Sequence, residues 1–90
     1  MNNKYTDSMV HLHDYLKNSE VKPASKVARC EFYLGASGAG LYLMNKHNND
    51  LLLQAKSDFC KARRAGFILP DQERKNISPS ILNIYANACN

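Results

Sequence analysis

Ninety residues, 44% hydrophobic and 22% charged, make one ordinary globular domain, since chains divide only well above this length. The net charge is +4, from 12 Lys and Arg against 8 Asp and Glu, a mild excess that suits an acidic partner without singling out nucleic acid. A chain this short buries only ~60–65% of the surface it exposes when unfolded, so a crosslink or a partner subunit is expected to support the core.

The opening "MNNKYTDSMVHLHDYL" lacks the charged stretch followed by an apolar run that marks a secretory signal. It reads either as a cytosolic start or as a mature chain restarted at Met1. From Tyr5 to Asn18 the spacing predicts a first helix. Thr6 or Asp7 is placed to cap it, and Met9, Leu12 and Leu16 form a stripe that Val10 and Tyr15 widen. "HLHD" at His11 to Asp14 looks like a metal or catalytic cluster. On a helix, however, His11 and His13 point ~200° apart, so they read as surface or boundary histidines.

"SEVKPAS" is a connector, in which Pro23 sets a helical φ at the next helix's first turn. The second helix is expected from about Ala24 to Lys46, with Val27, Cys30, Leu34, Leu41 and Met44 along one face. Inside it, Phe32 to Asn45 reads "FYLGASGAGLYLMN", without a charge and with three glycines in six positions. Gly35 and Gly40 have the spacing of a phosphate loop. Leu41 and Tyr42, however, occupy the places where Lys and Ser or Thr would reach phosphate and magnesium. A membrane helix needs ~18–20 apolar residues, and Glu31 and Lys46 bound this stretch too closely. Helix packing is what remains. Ala36, Gly40 and Met44 recur at i, i+4 and i+8, with Gly35 and Ala39 beside them, and residues without bulk let another helix axis come close. Each interior glycine costs ~1 kcal/mol relative to alanine, so a compensating contact or a kink is expected. The facing surface is either a helix of the same chain or the seam of a symmetric dimer.

"HNND" separates the second helix from a third over Asp50 to Arg64, capped by Asn48, Asn49 or Asp50. Leu52, Ala55 and Phe59 face inward, with Leu51 and Ala62 beside them, and Gly66 ends the helix in a left-handed cap. "FILPDQERKN" is a loop centred on Pro70, with room for a short turn over Asp71 to Lys75. Ser78 caps a last helix and Pro79 starts it. Ile81, Leu82, Ile84, Tyr85 and Ala88 supply its apolar face. The fold predicted is a single all-α domain over residues 1–90, a small bundle of four to five helices.

The densest positive charge is Lys61, Arg63 and Arg64 before the loop and Arg74 and Lys75 after it. This is a solvated face, or a surface for phosphates or an acidic partner. Aromatic residues do not interleave it, which disfavours stacking on single strands.

Cys30, Cys60 and Cys89 lack the close pairs of a zinc site. They read as three buried thiols, or as one disulfide and one spare. If the second and third helices form a straight hairpin turning near Asn48, Cys30 lies ~27 Å from the turn and Cys60 ~18 Å, whereas bonding needs Cα atoms within ~7 Å. Cys60–Cys89 has no such mismatch and would staple the last helix to the third. Cys30–Cys60 stays as the alternative if the glycines bend the second helix. No nucleophile has an activating partner placed for it, so no enzyme, cofactor or metal is expected.

"CEFYLGASGAGLYLMN", "DFCKARRAGF" and "ISPSILNIYANAC" fall in an order that resembles the Rap/Tai immunity proteins of bacterial type VI secretion, over Arg29 to Cys89. Many of these carry a cysteine followed by Tyr and glycines on an apolar helix, a Phe-Cys about 30 residues on, and a final helix ending in Cys. This chain departs from that pattern in delaying its proline to Pro70 and in a short segment between the last two cysteines. The resemblance implies a small α-helical periplasmic protein, dimeric, that binds and blocks a secreted peptidoglycan amidase. A disulfide would then be natural, because the periplasm is oxidising. A positive surface could speed capture of an acidic toxin cleft. Without the resemblance, the residues suit a cytosolic helical regulator that binds nucleic acid through its basic cluster, or a structural adaptor bundle.

Overall fold

The computed structural model describes residues 3–17 and 23–89, which form five helices and no strand: α1 (Asn3–Lys17), α2 (Ala24–Met44), α3 (Asn49–Arg64), α4 (Asp71–Arg74) and α5 (Pro79–Ala86). This is the all-α bundle read from the sequence. Helix α2 is central. Helix α1 packs against it on one side, while α3 and α5 pack against it and against each other.

Boundaries move by a few residues. Helix α1 begins at Asn3, which puts Thr6 and Asp7 inside the helix instead of at its cap. Met9, Leu12 and Leu16 are half-buried, but Val10 and Tyr15 stay exposed, so the stripe is narrower than expected. Asn18 and most of the connector lie outside the described residues. Pro23 occupies the cap position of α2, with ψ 138°, and not its first turn. Its carbonyl accepts the first helical bonds, from the amides of Lys26 and Val27. Helix α2 stops at Met44 because Asn45 leaves helical geometry at φ −143°. Asn48 takes the cap position of α3, but its side chain makes no capping bond.

The stripe predicted on α2 faces α1: the Cys30 thiol donates to the Leu12 carbonyl at 3.3 Å, and Leu34 is buried. Met44, expected inside, is 49% exposed at the helix end. The main core is on the opposite side and centres on Phe32, which the stripe omitted. Its ring lies 5.0–5.3 Å from those of Phe59, Phe67 and Tyr85, so α2, α3, the loop and α5 meet on one aromatic cluster. Ala39, Ala55, Ala62, Leu69 and Ile81 complete it.

The glycines sit in this core. A Cβ on Gly35 would lie 2.6–2.9 Å from the Phe59 ring, so only glycine fits there. Gly38 is looser, with 3.4 Å to the Ala55 Cβ. The close approach is thus between α2 and α3 of one chain.

Two caps follow the sequence closely. Gly66 has φ +82°, and the amides of Gly66 and Phe67 donate back to the carbonyls of Arg63 and Ala62, closing α3 in the double-bonded glycine motif. Ser78 Oγ accepts from the Ile81 amide at 3.3 Å, and Pro79 starts α5. Cys60 and Cys89 are joined by a disulfide with Cα atoms 5.0 Å apart, fixing the end of the chain to α3. The alternative Cys30–Cys60 bond is not formed, because Cys30 lies on the face of α2 that meets α1.

Candidate functional site

Arg63 lies one turn beyond Cys60 on α3. Its Nη1 donates to the Tyr85 carbonyl at 3.2 Å and the Ala86 carbonyl at 2.6 Å. These carbonyls lie in the last turn of α5, where the Tyr85 carbonyl also accepts from the Ala88 amide at 3.3 Å, and a cation there meets the negative end of the helix dipole. The guanidinium also lies over the Tyr85 ring, 5.6 Å from its centre. Arg63 is therefore held in place at the surface by three contacts with α5.

The opposite wall comes from α4. This single turn is pinned to α2 through Glu73, which accepts from Arg29 Nη1 at 2.9 Å and Nη2 at 2.6 Å, and from the Tyr33 hydroxyl. The hydrogen bond from Arg29, with a second from Tyr33, holds the Glu73 carboxyl below its usual range. Burial, with the bond to Glu73, pushes the Tyr33 phenol up to about 12. The Arg29 guanidinium is raised by its bond to Glu73 and lies over the Tyr33 ring at 5.2 Å. The next residue, Arg74, makes no side-chain hydrogen bond or ion pair among the described residues.

Between these walls runs a groove of ≈ 390 Å³, lined by Arg63, Phe67, Arg74, Leu82, Tyr85 and Ala86. Two cations flank an apolar, mostly aromatic floor. That arrangement can receive a carboxylate beside an apolar side chain.

The basic residues singled out in the sequence are thus divided. Arg63 and Arg74, eleven positions apart, share one groove. Arg64 and Lys75 are exposed outside its lining. Lys61 acts instead on two acids at the α2–α3 edge, Asp58 and Glu31. Burial pushes both carboxyls up, and Lys61 opposes the shift in each. Asp58 is 4% exposed and accepts from Gln54 Nε2 at 3.3 and 3.4 Å. Gly35, Ala39 and Gly40 are buried within the chain and Ala36 is half-buried, so this seam is occupied from inside the molecule. His11, His13 and His47 are exposed. No three His, Cys, Asp or Glu side chains group as metal ligands among the described residues. No helix among them is long and apolar enough to cross a membrane.

Sequence reasoning missed Tyr85, Phe67 and Leu82 as the groove floor, and the Arg29–Glu73–Tyr33 network that sets its wall. Tyr85 carried the one available signal, an aromatic residue near the end of a short helix whose carbonyls need a cation. No family model matches this chain, and neither a curated protein nor a solved structure does.

Proposed function

We propose that this chain is a binding protein that captures and blocks a secreted antibacterial cell-wall amidase, in the manner of type VI immunity proteins, and that it works in the periplasm. The observation that carries a binding role is the immobilised Arg63 on Tyr85, facing Arg74 across an apolar floor. Arginine and tyrosine are the residues on which interface energy concentrates, most of all when they are held in place before binding. The choice of an amidase rests on the resemblance over Arg29 to Cys89. The Cys60–Cys89 bond suits an oxidising compartment. The titrating groups near the groove are engaged with one another: Glu73 with Arg29 and Tyr33, and Arg63 with α5. They act as struts and leave a surface that binds without carrying out a reaction. A dimer, if the protein forms one, uses a face other than the glycine seam.

The test is to mix the purified chain with purified type VI peptidoglycan amidases and follow peptidoglycan digestion. Stoichiometric inhibition is expected, with an association rate that falls as salt rises. Undiminished digestion, together with retention of the chain on duplex DNA at low salt, would establish the nucleic-acid reading in its place.

A further inference from the structure

We infer that the Arg63–Arg74 groove recognises an acidic peptide segment of a protein partner: a Glu or Asp side chain seated between the two guanidinium groups, with a neighbouring aromatic or aliphatic side chain on Phe67, Leu82 and Tyr85. This rests on the binding role proposed above and names the chemistry of its partner.

The bonds that fix Arg63 to α5 use Nη1 alone. Among the described residues Nη2 and Nε make no hydrogen bond. These two N–H groups form the edge of the guanidinium fork that accepts a carboxylate with two parallel bonds. Arg63 is thus anchored by one nitrogen and open on the edge that recognises a carboxylate. Arg74, exposed on the far wall, brings a second charge with no internal partner.

Charge around the groove points the same way. From Arg63 to Lys75 the chain carries four cations against Asp71 and Glu73, and Glu73 is taken by Arg29 and Tyr33. A second copy approaching by this face would meet like charge. The floor separates an acidic peptide from a duplex nucleic acid. Phe67, Leu82, Tyr85 and Ala86 line the groove between the arginines, and the phosphodiester track of a duplex has no apolar group to cover them, whereas a single strand, whose bases stack on aromatic rings, is the competitor that the oligothymidine tests. A carboxylate flanked by an apolar side chain satisfies both halves of the site.

The test is an amide chemical-shift titration of the disulfide-bonded chain with the peptide acetyl-Gly-Glu-Phe-Glu-Gly-amide. Its isostere with Gln in place of Glu and a ten-residue oligothymidine serve as the other probes. The acidic peptide is expected to shift the amides of Arg63, Phe67, Arg74, Leu82, Tyr85 and Ala86, and the Gln peptide to bind at least ~10-fold more weakly. Arg74→Glu should abolish the shifts with an unchanged melting temperature. Arg74→Lys should keep part of the binding, having charge without the fork. The inference is overturned if Gln and Glu peptides bind alike, if the shifts fall elsewhere, if none appear at millimolar peptide, or if the oligonucleotide occupies these residues more tightly. The amidase experiment separates the two claims. Peptide binding in the groove without inhibition leaves this inference standing and removes the immunity reading. Inhibition that is identical for Arg74→Glu does the reverse.

Discussion

Helix α3 holds its two neighbours by different means. Toward α2 it presents Phe59 and Ala55, which meet Gly35 and Gly38 with almost no spare volume. Toward α5 it presents Phe59, whose ring meets that of Tyr85 at 5.2 Å, and further out Cys60 and Arg63, which meet the Cys89 sulfur just past α5 and two carbonyls of its last turn. The first seam is fixed by shape, and shape fills the space it fixes. The second, outside the Phe59–Tyr85 contact, is fixed by tethers, which hold elements together without filling the space between them. A groove can persist at the second seam for that reason and not at the first. In a domain of ninety residues, replacing packing by a covalent bond leaves surface free for a partner.

Breaking the covalent tether should have the largest effect. Reduction, or Cys60→Ser with Cys89→Ser, opens a loop of 29 residues in sequence separation. The chain-entropy account puts the loss near ~3–4 kcal/mol. Urea unfolding with and without reductant measures it. Hydrogen exchange should rise first at the α5 amides and only later in α2. A loss below ~1 kcal/mol, or exchange that rises first in α2, would mean that packing already holds α5 and that the contrast drawn above is false.

The shape-filled seam was the more legible of the two. Three glycines in six positions on an uncharged stretch of helix announce close approach, because an interior glycine costs too much to stand there without a contact. Ser78 with Pro79, and Gly66, announced their caps because capping is local chemistry between neighbours in sequence. The stripe on α2 was read as one face, yet the helix is central and buried on two. Phe32 fell on the second face and was missed, since periodicity reports one stripe at a time. The groove was half legible. Arg63 and Arg74 stood out as charge, but their meeting depends on Glu73 reaching Arg29, 44 positions away, and no local pattern encodes that pairing. Asp58 had no local signal at all, since nothing in the residues around it marks an acid on α3 as buried.

The two glycines sharpen the comparison by predicting opposite signs for one substitution. At Gly35 an added methyl would overlap Phe59, whose ring is fully buried and pressed on Phe32 at 5.3 Å. Overpacking costs ~1–3 kcal/mol and exceeds the ~1 kcal/mol gained in helix propensity, so Gly35→Ala should destabilise by ~1–2 kcal/mol. At Gly38 the nearest atom is at 3.4 Å, ordinary contact, and propensity should win by ~0.5 kcal/mol. Denaturant midpoints of the two variants decide it. Equal losses would show that the seam is uniformly tight.

Arg63→Ala probes the tether made of charge. Its contacts with α5 are hydrogen bonds from an exposed side chain, so the loss should be about 1 kcal/mol or less, well below that of the disulfide. The change should be confined to α5, seen as faster exchange at its last amides. Arg63→Lys should recover part of the stability, because an ammonium still serves the carbonyls, while acidic-peptide binding stays weak for want of the planar fork.

The smallest effects are in pH dependence, where the two regions should again diverge. Glu73, beside the groove, has its carboxyl lowered by Arg29 and Tyr33. It therefore contributes stability above the unfolded value of ~4.3, and that contribution is lost as pH falls through the lower folded value. Asp58, at the packed seam, has its carboxyl raised by burial. Its folded state takes up the proton more readily, so stability increases as pH falls toward the unfolded value of ~3.9 and decreases as pH rises through the folded value. Glu73→Gln should accordingly flatten the loss on the acid side of pH ~4.3, and Asp58→Asn should remove the gain on the alkaline side of pH ~3.9. Melting temperatures from pH 3 to 6 should show the two variants leaving the parent curve in opposite directions. Curves parallel to the parent would mean that neither carboxyl is coupled to folding, and that α4 owes its position to something other than Glu73.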